Sequence, residues 1–111
     1  MAEISKRERI NKLLSLYGSV LSQQEKDDML AYYGEDLSLG EIAENRKVSR
    51  NAVRLSLLNG EKSLEKHESE MHLLERANGI LKELDDLEEK EKDPENKHLI
   101  NHIKEELTHG I

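Results

Sequence analysis

The sequence predicts an all-α protein: a small helical bundle with a helix-turn-helix over residues 22–59, followed by a long C-terminal helix. Three observations predict it. Apolar residues recur at steps of three, four and seven rather than two. Two capping boxes, Ser22-Gln-Gln-Glu25 and Ser38-Leu-Gly-Glu41, mark helix starts. Charged residues make up 37% of the 111 residues and apolar ones 35%, with no Phe or Trp, which is the composition of helices with solvated outer faces. The core must be small, built from Leu, Ile, Val, Met and three Tyr, and a partner chain could complete it.

The first helix is expected over 4–18, where Ile10, Leu13, Leu14 and Tyr17 form one stripe and Gly18 ends it. The second follows Ser22, offers Met29, Leu30, Tyr32 and Tyr33 to the core, and closes at Gly34. The third starts at Ser38 and points Leu39, Ile42 and Ala43 inward. Val48-Ser49 marks a turn and a new N-cap, and Ile42 and Val48 are expected to bury that turn. The next helix, 50–59, has Ala52, Val53 and Leu57 as its inner face and Asn59-Gly60 as its stop. One long helix is then expected from Ser63 to Lys92, weakest at Ala77-Asn78-Gly79. Asp93-Pro94 breaks it, and residues 95–108 form a last helix with Leu99, Ile103 and Leu107 four apart. Two domains follow from this: a helix-turn-helix domain at 1–60, and at 61–111 a long acidic amphipathic helix plus a short terminal one, packing on it or on a second subunit.

Charge is unevenly placed. Residues 1–60 carry nine Lys/Arg and nine Asp/Glu, whereas 61–111 carry eight against fifteen, so the net charge of −7 lies in the second half. Phosphates would repel that half, so a nucleic-acid surface must lie in the first. With no cysteine, disulfides, thiolate metal sites and a Cys nucleophile are excluded. No apolar run heads the sequence as in a signal peptide, and none approaches the roughly 20 residues of a membrane span, so a soluble cytoplasmic protein is expected. There is no phosphate-binding Gly loop and no nucleophile–His grouping, so an enzyme, a catalytic residue or a cofactor is not expected. His98 and His102 lie four apart, as a metal pair would, but lack a third ligand; they read as solvated histidines, with no metal expected. His67 reads as half-buried beside Met71.

Residues 38–57 carry the functional pattern. Ala43 is small where two helices would cross, and Val53 follows ten residues later on the inner face of the second. Such a second helix is left exposed along one side and can enter a major groove by its N-terminal residues. Those residues are Ser49, Arg50, Asn51 and Arg54: Arg suits guanine or phosphate, Asn suits adenine, and Ser49 sits where helix N–H groups attract phosphate. Lys6, Arg7, Arg9 and Lys12 are candidates for further phosphate contacts. Leu55 and Leu58 should lie on the outward side, which suits a protein contact as well as it suits packing on the long helix. Leu55, Leu58, Met71, Leu74 and Leu81 are accordingly the candidate protein interface, and a homodimer is expected because the long helix has more apolar surface than one small bundle needs.

The run Asp36-Leu-Ser-Leu-Gly-Glu-Ile-Ala-Glu44 followed by Val48-Ser-Arg-Asn-Ala-Val53 resembles the YlxM family, as does the stretch with Leu16-Tyr17, Leu21, Gln24 and Tyr32-Tyr33. The resemblance covers roughly residues 8–90 and is strongest over 32–53. It implies an all-helical bundle whose helix-turn-helix is similar to region 4 of sigma factors. It also implies a regulatory or assisting role in the signal recognition particle pathway, through the particle's RNA or its protein. The family positions matched are Ser38, Glu41, Ile42, Ala43, Val48, Ser49, Arg50, Ala52 and Val53. Two departures stand out: the family's basic pair after the Val is Leu58-Asn59 here, and Arg46 stands where an apolar residue is usual.

Overall fold

The computed structural model describes residues 2–110, with side chains from 6 to 109, and every regular element in that range is helical. The order is α1 (Ala2–Tyr17), a 3-10 turn (Gly18–Val20), α2 (Gln23–Met29) running on into a π-helical turn (Leu30–Gly34), α3 (Leu39–Arg46), α4 (Arg50–Met71), α5 (Leu73–Lys90) and α6 (Pro94–Gly110). The chain divides into two compact units, 1–71 and 72–111. The division falls after Met71 rather than after Gly60, because α4 does not stop where the sequence pattern suggests.

The first unit is a bundle in which α1, α2 and α3 all pack on α4. The apolar stripe of α1 is buried as expected, with Leu13 fully enclosed. Ser22 and Ser38 both close complete capping boxes, each hydroxyl accepting the N–H three residues on while the Glu carboxylate accepts the serine N–H. Those bonds from Ser38 hold the Glu41 carboxyl below its usual value of 4.5.

The π turn at the end of α2 adds a residue to the helical repeat, with the Glu35 N–H reaching the Leu30 carbonyl at 2.9 Å. Tyr33 is thereby buried and Tyr32 half-buried, their rings edge to face at 4.9 Å. The exposed carbonyls at this helix end are met from α1. Arg7 donates to the oxygens of Tyr32 and Tyr33 at 2.9 and 3.2 Å, and the Asn11 amide donates to Tyr33 at 3.0 Å. The Tyr33 hydroxyl donates to Glu61 on α4; burial first, and that bond second, push its phenol above the usual range.

Gly60 explains why α4 continues. A Cβ built there would lie 2.3 Å from the Met29 sulfur, so the glycine is the point of closest approach between α4 and α2, not a stop. Helix continuation past it is stabilised by burial of Leu57 and Leu64 on either side. The single long helix expected over 63–92 is likewise corrected. His72 adopts φ 57° and ψ 29°, a left-handed conformation that ends one helix before α5 begins. The suspected weak point at Ala77-Asn78-Gly79 is continuous helix; Gly79 stands in open space and costs about 1 kcal/mol, too little to interrupt a helix of 18 residues.

In the second unit α5 packs against α6. Asp93 caps α6, its carboxylate accepting the Glu95 N–H at 3.0 Å, and Pro94 takes the first helical position, where a missing N–H does no harm. Lys104 reaches from α6 to Asp85 and Glu88 at 2.6 and 3.3 Å. None of the described helices is long and apolar enough to cross a membrane.

Candidate nucleic-acid interface

The helix-turn-helix is α3, a three-residue turn and α4. Ile42 and Ala43 on α3 and Val53 and Leu57 on α4 are all buried where the two helices pack. The turn is built by a Schellman arrangement: the Val48 N–H reaches the Ala43 carbonyl at 3.0 Å and the Lys47 N–H reaches Glu44 at 3.2 Å. Lys47 takes the left-handed position, φ 59°, that glycine usually fills. Ser49 then caps α4, its hydroxyl accepting the Ala52 N–H at 3.0 Å. Val48 does not bury the turn as expected; it is exposed, its N–H turning inward to Ala43, while Ile42 is buried.

Arg46, which stands where an apolar residue would be usual, has a partner. Its guanidinium donates to Asp28 at 2.7 Å, and that carboxylate is 1% exposed. Gln24 donates to the other carboxylate oxygen at 3.3 Å. The pair ties α2 to the end of α3, so the departure from the apolar pattern holds the motif's own supports together.

Ser49, Arg50, Asn51 and Arg54 come together at the start of α4, all exposed. Arg54 donates to the Asn51 amide oxygen at 3.0 Å, which sets the two as one polar unit. The Arg50 side chain lies over Gly40 in the first turn of α3; a Cβ there would come within 3.2 Å of its guanidinium. Neither Arg50 nor Arg54 meets a carboxylate among the described residues.

The α1 cations differ. Lys6 pairs with Glu61 at 3.3 Å, Arg7 with Asp36 at 3.2 Å, and Arg9 with Glu65 through two bonds of 3.0 and 2.6 Å. Arg50, Arg54, Glu61 and Glu65 follow at helical spacing along one strip of α4, so Lys6 and Arg9 stand on the same flank as Arg50 and Arg54. At 1.5 Å per residue they lie about 10–17 Å further along, with their charge already met by acids of α4. Lys12 is exposed and has no ion pair among the described residues.

Leu55 and Leu58 are exposed at 48% and 37%, on the outward side as expected. Of the other candidate interface residues, Met71 is exposed and Leu81 half-buried, but Leu74 is 2% exposed and has no free surface to offer a partner. Ending the helix at Asn59 also hid two cations. With α4 running to Met71, Lys62 follows Leu58 and Leu55 at spacings of four and seven, and Lys66 follows Lys62, both exposed. The signal was in the spacing, masked by reading Asn59-Gly60 as a stop. His98 and His102 are exposed, His102 lying 3.6 Å from Glu106, and His67 is half-buried with its ring 6.1 Å from Tyr17.

A family model described as "Putative helix-turn-helix protein, YlxM / p13 like", UPF0122, matches residues 4–107. A UPF0122 protein of Limosilactobacillus reuteri is 38% identical over 106 residues, covering 91% of this chain and 94% of its own length. One from Pediococcus pentosaceus is 44% identical over 72 residues, 65% of this chain and 64% of its own, and one from Desulforamulus reducens is 43% identical over 68, covering 61% and 58%. The chain belongs to the UPF0122 family of YlxM/p13-like helix-turn-helix proteins.

Proposed function

We propose that the protein is a non-enzymatic nucleic-acid-binding regulator that reads its target with the N-terminal turns of α4. The observation that carries this is the contrast among its arginines: Arg7, Arg9 and Arg46 are held by carboxylates, while Arg50 and Arg54 stand exposed at a capped helix start beside Asn51. A guanidinium without an intramolecular acid keeps its full attraction for phosphate and its fork for a guanine edge. The Asn51–Arg54 bond preorders both side chains for a planar contact. Lys62 adds a cation on the Leu55–Leu58 side of the same helix, and Lys12 adds one on α1. The resemblance to YlxM proteins favours the RNA of the signal recognition particle as one target and a role in that pathway; duplex DNA is the other.

Fluorescence anisotropy at low salt, with labelled particle RNA and with duplex DNA, tests the reading. Binding should weaken steeply with added salt, and Arg50→Ala and Arg54→Ala should each weaken it about tenfold, the effect of losing roughly 1–3 kcal/mol of contact. Absence of binding to both at low salt overturns it. A second reading is favoured by Leu55 and Leu58, which a reader of polar base edges has little reason to expose. On that reading the helix docks on a protein such as the particle's protein component, and Leu55→Asp with Leu58→Asp abolishes capture while nucleic-acid affinity is unchanged.

A further inference from the structure

Gly40 has no backbone reason to be glycine. It stands in the first turn of α3, none of the described glycines has a positive φ, and glycine is a poorer helix former than alanine. What its missing side chain leaves room for is Arg50. A Cβ at Gly40 would lie 3.2 Å from both Nε and Nη2 of Arg50 and 3.4 Å from its Cζ, and these are the three nearest atoms it would meet outside its own stretch of chain. Such separations are tighter than ordinary van der Waals contact, so a side chain there must displace the guanidinium.

The start of α4 therefore presents its two arginines differently. Seven residues before the buried Leu57, Arg50 stands at the edge of the inward face of α4 and lies back across α3. Arg54 donates instead to the Asn51 amide oxygen at 3.0 Å. In a helix-turn-helix on a duplex the second helix enters the major groove while the first crosses the sugar-phosphate backbone. A guanidinium over the first turn of α3 is thus on the backbone side of such an interface, and one tied to Asn51 is on the groove side. No carboxylate among the described residues neutralises Arg50. Packing against the bare glycine backbone also limits the side-chain freedom that binding would otherwise cost.

We propose, resting on the reading of α4 as the nucleic-acid-binding helix, that Gly40 is a positioning residue. It seats Arg50 over α3 as a phosphate contact and leaves Arg54 with Asn51 to read bases. Arg50 then supplies affinity that is alike for every sequence, and the Asn51–Arg54 pair supplies discrimination. A side chain at position 40 acts on binding through Arg50 alone.

Fluorescence anisotropy across a salt series, with a labelled mixed-sequence DNA duplex and with the particle RNA, tests this. Arg50→Ala should weaken binding roughly tenfold and flatten the plot of log K against log salt by about 0.7–0.9, one phosphate contact. Gly40→Leu should reproduce both effects with Arg50 still present, and should add nothing to Arg50→Ala. Its loss should instead add in full to that of Arg54→Ala, which leaves the slope nearly unchanged. Gly40→Ala, whose methyl asks only a small shift of the guanidinium, should weaken binding less and with the same dependence on Arg50. The alanine variant carries the test if leucine lowers the helical circular dichroism. Wild-type affinity and slope in both Gly40 variants overturn the inference. So does a loss as large without Arg50 as with it. Binding of the wild-type chain to neither probe overturns the reading of α4 as well, an outcome distinct from those two.

Discussion

The two units are both built from amphipathic helices and reach different ends. In the first, three helices converge on α4, so apolar side chains from four directions enclose one another and even polar groups are buried with their partners, as with Asp28 and Arg46 or Tyr17 and Glu68. In the second, two amphipathic helices lie side by side, and Ile80, Leu87, Leu99 and Ile103 stay about half exposed. The number of layers, not the number of leucines, decides how much surface leaves water. The helix-turn-helix draws on the first arrangement for rigidity.

That contrast is open to attack. The largest effect is expected from Arg46→Ala, which leaves Asp28 buried and without its cation; about 3 kcal/mol of stability should be lost, read as a lower urea midpoint. Pairing Arg46→Met with Asp28→Asn should recover most of it. If Arg46→Ala costs nothing, the first unit is looser than its packing implies. Next is Gly60→Ala, which drives a methyl into Met29 and should cost about 2 kcal/mol although alanine is the better helix former. Adding Met29→Ala should relieve part of the cost. The smallest effect has the opposite sign: Lys47→Gly should raise stability by about 0.5–1 kcal/mol by removing left-handed strain from the turn, with nucleic-acid affinity changed only by the loss of one charge.

The sequence was most legible where local chemistry alone sets structure. Both capping boxes, the turn before Ser49 and the Asp93-Pro94 break announce themselves through side chains acting on their own backbone, and each forms. It was least legible where a distant contact overrides a local habit. Gly60 reads as a terminator until Met29 is seen beside it. His72, an unremarkable helix residue on paper, is the actual interruption. The exposed candidates at the start of α4 could be named because exposure at a helix start follows from spacing. The neutralisation of Lys6, Arg7 and Arg9 could not, since their acids lie between 29 and 56 positions away or so along the chain.

The unbroken run of α4 from Arg50 to Met71 has an evolutionary corollary. On the proposed function, one rod serves as probe at its tip and as footing along its remaining turns, where Leu57, Gly60, Leu64 and Glu68 are buried among the neighbouring helices. Exchanging Asn51 or Arg54 leaves these buried contacts in place, and exchanging Arg50 gives up only its cover over Gly40. A lineage can retune what the probe touches by single replacements, each close to neutral for folding, while the mount stays fixed.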